Sequence, residues 1–323
     1  MQQPRSLIPY AVMAPSGHNT QPWRFEVSAQ RIDIFPDFSR RLPVVDADDH
    51  ALFISLGCAL ENLLIAAAQS GVHTRVEYFP AGEQCLRVHL EGPGDIANES
   101  TRILFDAMPR RQSNRGRYEQ RPLSEQHITA LALAARQPDV RIELISDIKQ
   151  RQQMAQHAAR ACEQQFSDPA FVRELQHWIR FSQRERNLQR DGLAADTMGM
   201  PFVPRWFGRL IMALTSTPQR EARKVQRQAE CAPLLALFCV RRNDASSWVN
   251  AGRSYQRLAL TATALGIAHA HLNMPCEVIN ERAAMKKSLG LEDEPVLLIR
   301  LGFGKRMPMS VRRPANEVMV EHG

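Results

Sequence analysis

The chain has 323 residues, 44% of them hydrophobic and 23% charged, which excludes a disordered or low-complexity protein and leaves room for a large core in one or two domains. Its net charge of +7 comes mainly from arginine, but pairs such as Arg40-Arg41 and Arg110-Arg111 are short and scattered, so one or two anion sites on a solvated surface are expected rather than a nucleic-acid interface. The six cysteines (Cys58, Cys85, Cys162, Cys231, Cys239 and Cys276) make no CxxC pair or zinc-like spacing, no signal-peptide pattern opens the chain, and Glu61 and Asn62 break the longest apolar stretch; a cytoplasmic protein without a metal or a membrane span is expected.

In chain order, the first distinctive element is Ala14–Trp23, APSGHNTQPW. It joins a Pro-Ser-Gly turn to clustered hydrogen-bonding groups and enters a strand through Pro22-Trp23. Such a loop suits the edge of a planar heterocycle, or it is a capped turn with Trp23 in the core. Arg31–Phe35 alternates as a strand, and Ile54–Gly71 reads as a helix ended by glycine. Cys85–Leu90 reads as a strand. Arg110–Tyr118, RRQSNRGRY, alternates Arg111, Ser113 and Arg115, which suits a phosphate or a solvated basic turn. A helix over Leu123–Ala135 is expected with Ser124 as its cap. Arg141–Ile145 and Leu234–Val240 read as strands, the second buried. Between them, about 167–218, lies a stretch rich in Gly, Pro, Met and aromatics that is either a lid over a site or an outer arm. A second glycine-ended helix, Val249–Gly266, is followed by the loop His269–Pro275, a strand at Val296–Leu301 and the tail Ser310–Pro314, SVRRP.

The segments Ile54–Pro80 and Val249–Pro275 align without a gap at an offset of 195, pairing Gly57 with Gly252, Leu63 with Leu258, Gly71 with Gly266 and Pro80 with Pro275. Each continues into a strand-like run. This predicts an internal duplication of α+β type, with the paired helices at the interface between halves. The halves are expected at 1–105 and 106–323, the second carrying the insertion at about 167–218.

APSxxNxQPW resembles the ring-binding loop of the FMN-dependent nitroreductase family, and the resemblance implies flavin contacts from Pro15, Ser16, Gly17, Asn19 and Gln21. RRQSNRGRY resembles the family's phosphate grip, implying Arg111, Ser113 and Arg115, although Gly116 displaces Tyr118 by one residue. The tail resembles a further phosphate contact, implying Arg312 or, next to it, Arg313. The loop after Gly266 implies Leu272 and Asn273 near the reacting edge of the ring. The first half has the ring loop without the phosphate grip, and the second half has the reverse. That division resembles the single-chain, fused-dimer branch, with one FMN per chain, NAD(P)H as reductant and a nitro, quinone or similar acceptor. A monomer is then sufficient and a dimer remains compatible. A protein that stores FMN beneath a closed lid is the alternative, and a basic interaction protein without flavin a third. No catalytic side chain is assigned; His18, His269 and His271 lie in candidate loops.

Overall fold

The computed structural model describes residues 4–95 and 97–320; the outer ends of the two expected halves, at 1 and 323, lie outside them. Its strands are β1 (Trp23–Val27), β2 (Arg31–Pro36), β3 (Val72–Tyr78), β4 (Leu86–Pro93), β5 (Val140–Ile145), β6 (Ile179–Arg180), β7 (Leu193–Ala194), β8 (Leu234–Val240), β9 (Ala268–His271), β10 (Glu294–Gly302) and β11 (Met319–Val320). One sheet runs β11-β1-β2-β4-β3 and a second β5-β8-β10-β9, so β1, β2, β4 and β3 occupy the same order as β5, β8, β10 and β9. Within these two sheets neighbours are antiparallel except for β11, which lies parallel to β1 through Phe25 opposite Met319 and Glu26 opposite Val320; β6 and β7 form a separate parallel pair. The expected boundary at 105/106 falls inside the helix Glu99–Ala107.

Two long helices fill the space between the sheets. His50–Gln69 follows β2 and Ala245–Ala264 follows β8, each rich in small residues on the face it turns to the other. The small residues permit very close approach. A Cβ built on Gly57 would lie 2.1 Å from the Val249 carbonyl oxygen, and one on Gly252 would lie 2.0 Å from that of Ile54. The contact is reciprocal, because Val249 is the residue 195 beyond Ile54. The polar crossings repeat the pattern: Arg257 donates to Glu61 at 2.9 Å and Gln256 to Asn62 at 2.6 Å. Trp23, Phe25, Ile32 and Ile34 of the first sheet and Phe238 and Val240 of the second join these helices in one core. The other face of β8, Leu235, Leu237 and Cys239, packs with Met154 and Ala158 of helix Ile148–Ser167, so β8 is buried on both sides as its unbroken apolar run predicts.

His50–Gln69 is long and apolar enough to cross a membrane, with a mean hydropathy of 1.9, which corrects the reading that Glu61 and Asn62 break it. Both residues are buried and paired across the helix interface, and 78% of the apolar window is buried in the fold.

Asp46 anchors this helix by accepting from the amides of Ala51 and Leu52, both at 2.9 Å. The buried His50 Nδ1 lies 3.0 Å from Asp46 and 2.5 Å from Asp48. Burial opposes the imidazolium, but hydrogen bonds and charge from the two carboxylates outweigh it and raise His50 to about 9. The folded pKa lies above the ordinary value, so this stabilisation is full below about 6.5 and drains away as pH rises through about 9. Melting temperature is therefore expected to fall between neutral pH and pH about 9 in wild type, and to fall less steeply in His50→Gln.

Candidate functional site

The Ala14–Trp23 loop is held in a backbone shape that side-chain-bearing residues seldom adopt. His18, Asn19 and Gln21 have φ of 45°, 56° and 54°. Hydrogen bonds fix it. Ser16 Oγ accepts from the Gln21 amide at 2.9 Å, and Asn19 Nδ2 donates to the carbonyls of Gly192 and Val311. Gln21 Nε2 donates to the Arg190 carbonyl at 2.9 Å, while its Oε1 accepts from the Arg313 amide at 2.8 Å. Thus Gln21, expected at a ring, is fully buried and acts as a strut that ties the loop to 190–192 and to the tail.

Arg110–Tyr118 reaches the same place from the other side of the chain. Ser113 bridges to His269 at the edge of β9, and the Asn114 amide donates to the His269 carbonyl at 2.8 Å. Arg300 of β10, 1% exposed, donates to the carbonyls of Asn114 and Gly116, and its guanidinium stacks 4.0 Å from the Tyr118 ring centroid. The extra residue Gly116 is therefore accommodated, and Tyr118 serves by packing and by donating to the Asn114 carbonyl at 2.9 Å.

These segments enclose two adjoining spaces. The smaller, about 30 Å³, is lined by Pro15, Ser16, Asn19, Arg111, Ser113, Arg115 and Arg312 among others. The larger, about 320 Å³, shares Pro15, Ser16, Ser113 and Arg115 with it and continues past Gly17, His18, Tyr255, His271 and Asn273. Asn19 and Arg111, 92 positions apart in sequence, thus face one space. Leu272 does not line either space; it packs in the core around β8, and only its amide acts locally, donating to the Leu298 carbonyl at 2.8 Å. Asn273 is cross-braced instead, accepting from the Leu298 amide at 3.0 Å and donating to Glu277 at 3.3 Å. Arg313 turns away to the Glu317 carbonyl, leaving Arg312 as the tail's arginine at the small space, where its Nε donates to the Ala14 carbonyl at 3.2 Å. Phe171, Leu175, Leu193 and Met198 of the 167–218 stretch line the large space, whereas helix Arg205–Thr215 stands outside with Trp206 70% exposed.

The electrostatics of the small space are one-sided. Burial, and then the charges of Arg111 and Arg115, pull the Arg312 guanidinium down to about 9. Burial also lowers Arg111 and Arg115, and no carboxylate is among the groups acting on any of the three. Arg111 is 3% exposed, with Nε and Nη1 unbonded. Three cations facing one space without a counter-charge, Arg111 buried and Arg115 and Arg312 half-buried, cost stability unless an anion joins them. These histidines are neutral: burial, then Arg115, takes His18 to about 4 and His271 to about 3, and burial with Arg111 holds His269 well below its ordinary value.

Two clusters that the sequence did not reveal bring together Asp33, Glu83 and Cys85, and Asp46, Asp48 and His50. Arg87 already bridges Asp33 and Glu83, and Arg282 and His50 already occupy Asp48, so both are ion-pair networks. Sequence reasoning also missed Arg300 and Tyr255. An arginine inside an apolar strand run (LLIRL) was the available signal for the first.

No protein-family model matches the chain. It is similar to "Putative NAD(P)H nitroreductase Rv3131" of Mycobacterium tuberculosis H37Rv, 28% identical over 324 residues that cover 98% of this chain and 90% of the relative. It is also similar to "Putative NAD(P)H nitroreductase acg" of the same organism, 25% identical over 322 residues that cover 97% and 94%. Among solved structures, a nitroreductase with bound FMN from Desulfitobacterium hafniense aligns with a TM-score of 0.42 at 15% identity, over 67% of this chain and 96% of that one.

Proposed function

We propose that this chain is an FMN-dependent, nitroreductase-like oxidoreductase that takes its electrons from NAD(P)H. The observation that carries the reading is the set of Arg111, Arg115 and Arg312, which line one small space with no acidic residue in its lining, beside a loop of strained polar residues. The residues fit the group. A phosphate dianion would meet the unbonded Arg111 nitrogens, Ser113 and Arg312, and the ring would extend into the larger space past Ser16, Gly17 and His271. Asn19 Oδ1, which is buried and unbonded, is the acceptor available at the junction. When bound, FMN supplies the redox chemistry, accepting a hydride from NAD(P)H and passing two electrons to a nitro, quinone or similar acceptor. The protein's part is to orient the ring, exclude water and hold positive charge near it. The arginines carry the charge, and neutral His18 and His271 can help orient the ring by hydrogen bonding without proton exchange near neutral pH.

The matching strand orders and the reciprocal Gly57/Gly252 contacts support an internal duplication in which one chain supplies both sides of one pocket, with β11 lent by the second half to the first sheet. Six free cysteines fit a reducing, cytoplasmic setting. A second reading, FMN storage, is favoured by one feature: the 167–218 stretch lays Phe171, Leu175, Leu193 and Met198 along the large space as a lid would.

The visible absorbance spectrum of the purified chain tests the main reading. One FMN per chain is expected, and a preparation that stays colourless in added FMN would refute it. Consumption of NADPH that accelerates with a nitroaromatic supports turnover, while bound flavin that NADPH does not bleach supports storage.

A further inference from the structure

A third space, about 580 Å³, lies between the phosphate-grip loop and helix Pro218–Glu230. Arg115 and Arg117 form one wall. Arg220, Lys224 and Arg227, spaced four and three residues apart, project from one face of the helix to form the other. Glu230 is the one carboxylate at its lining, and the nearest acid to Lys224 is Glu221 at 3.6 Å. Arg117, Arg220 and Arg227 take no carboxylate partner among the described residues. Lys224, Gln228 and Arg115 also line the large space, so the two adjoin across these side chains, whereas Arg111 and Arg312 face only the small one.

We propose that this groove binds the phosphate-bearing adenosine half of the reducing dinucleotide and selects NADPH over NADH; the proposal rests on the oxidoreductase reading above. Five cations around one carboxylate form an anion site larger than a single phosphate needs. The groove adjoins the large space across Arg115, Lys224 and Gln228, so one molecule reaching over them can put its nicotinamide there and its phosphates here. NADPH and NADH differ by a 2′-phosphate, a near-dianion for which arginine and lysine provide charge-assisted hydrogen bonds. A surface that merely attracts polyanions would also favour the more charged ligand, but only through a preference that salt screens out.

The test is calorimetric titration of the FMN-loaded chain with adenosine 2′,5′-bisphosphate and with adenosine 5′-monophosphate. The bisphosphate is expected to bind at least about ten-fold tighter, and Arg220→Ala/Lys224→Ala/Arg227→Ala to abolish the difference while flavin content by absorbance stays at the wild-type value. Equal affinities overturn the proposal. So does a preference that survives the triple variant, or one that appears only in the flavin-free chain, which would place the ligand on Arg111 and Arg312. Tighter binding of a DNA duplex than of the bisphosphate at the same salt would make the groove a nucleic-acid surface. Failure to load FMN is read separately, from the absorbance, and the same titrations on the flavin-free Arg312→Ala chain then decide the groove alone.

Discussion

Arg312→Ala is expected to weaken FMN binding by about ten- to hundred-fold, and Arg111→Ala similarly, because each removes a charge-assisted contact to a phosphate. The sign on the empty protein should be the opposite of an ordinary loss of structure. The three guanidiniums repel one another, and burial already pulls Arg312 down to about 9. Removing one relieves that repulsion at the cost of the bond from Arg312 Nε to the Ala14 carbonyl and two local bonds from Nη1 to the carbonyls of Ser310 and Val311. The flavin-free Arg312→Ala protein should therefore melt at the wild-type temperature or above it, while its affinity for FMN falls. Riboflavin, which has no phosphate, should bind wild type and variant alike. Fluorescence titration of both flavins with thermal melts of the empty chain decides the matter. If FMN and riboflavin lose affinity together, or if the empty variant melts early, Arg312 is scaffolding and the phosphate lies elsewhere.

Gly252→Ala is expected to destabilise the fold by several kcal/mol and Gly252→Val by more than about 4 kcal/mol. The obstacle is backbone: the added Cβ would meet the Ile54 carbonyl oxygen at 2.0 Å and its carbon at 2.8 Å. No rotamer change removes that clash, so the helices must separate, opening the core shared by both sheets. At an exposed helical site the same Gly→Ala change stabilises by about 1 kcal/mol, so the two accounts predict opposite signs. Gly57→Ala should behave alike, facing the Val249 carbonyl oxygen at 2.1 Å. Urea unfolding midpoints measure both. A Gly252→Ala chain more resistant to urea than wild type would mean that the helices do not touch there.

Much of this was legible in the residues because local chemistry and global packing agree. Gly57 and Gly252 stood out at a fixed offset, and they are where the helices touch. Ser124 caps its helix as its spacing predicts, accepting from the His127 amide. The alternation of Arg111, Ser113 and Arg115 places all three at one space because the segment is extended. What escaped depends on partners far away in sequence. Gln21 resembles a ligand contact in a motif, yet its donors and acceptors are spent on Arg190 and Arg313. Leu272 and Asn273 are neighbours with opposite fates because the chain turns from β9 into the helix Met274–Glu277 between core and cavity. The helix His50–Gln69 reads as interrupted only when Glu61 is taken alone; Arg253 and Arg257, both on the other long helix, neutralise it. β11 is two residues long, too short for any periodicity, and its pairing with β1 spans almost the whole chain.

That last pairing bears on synthesis. The arginine at 312 and the strand at 319–320 emerge from the ribosome after everything they dock against, and the tail's position depends on Gln21 and Asn19 near the opposite terminus. A nascent polypeptide can form both helices and most of both sheets before the segment that carries Arg312 is made. Docking of the 311–320 segment against Asn19, Gln21 and β1 is thus the late step of assembly, closing a pocket whose other walls are made first.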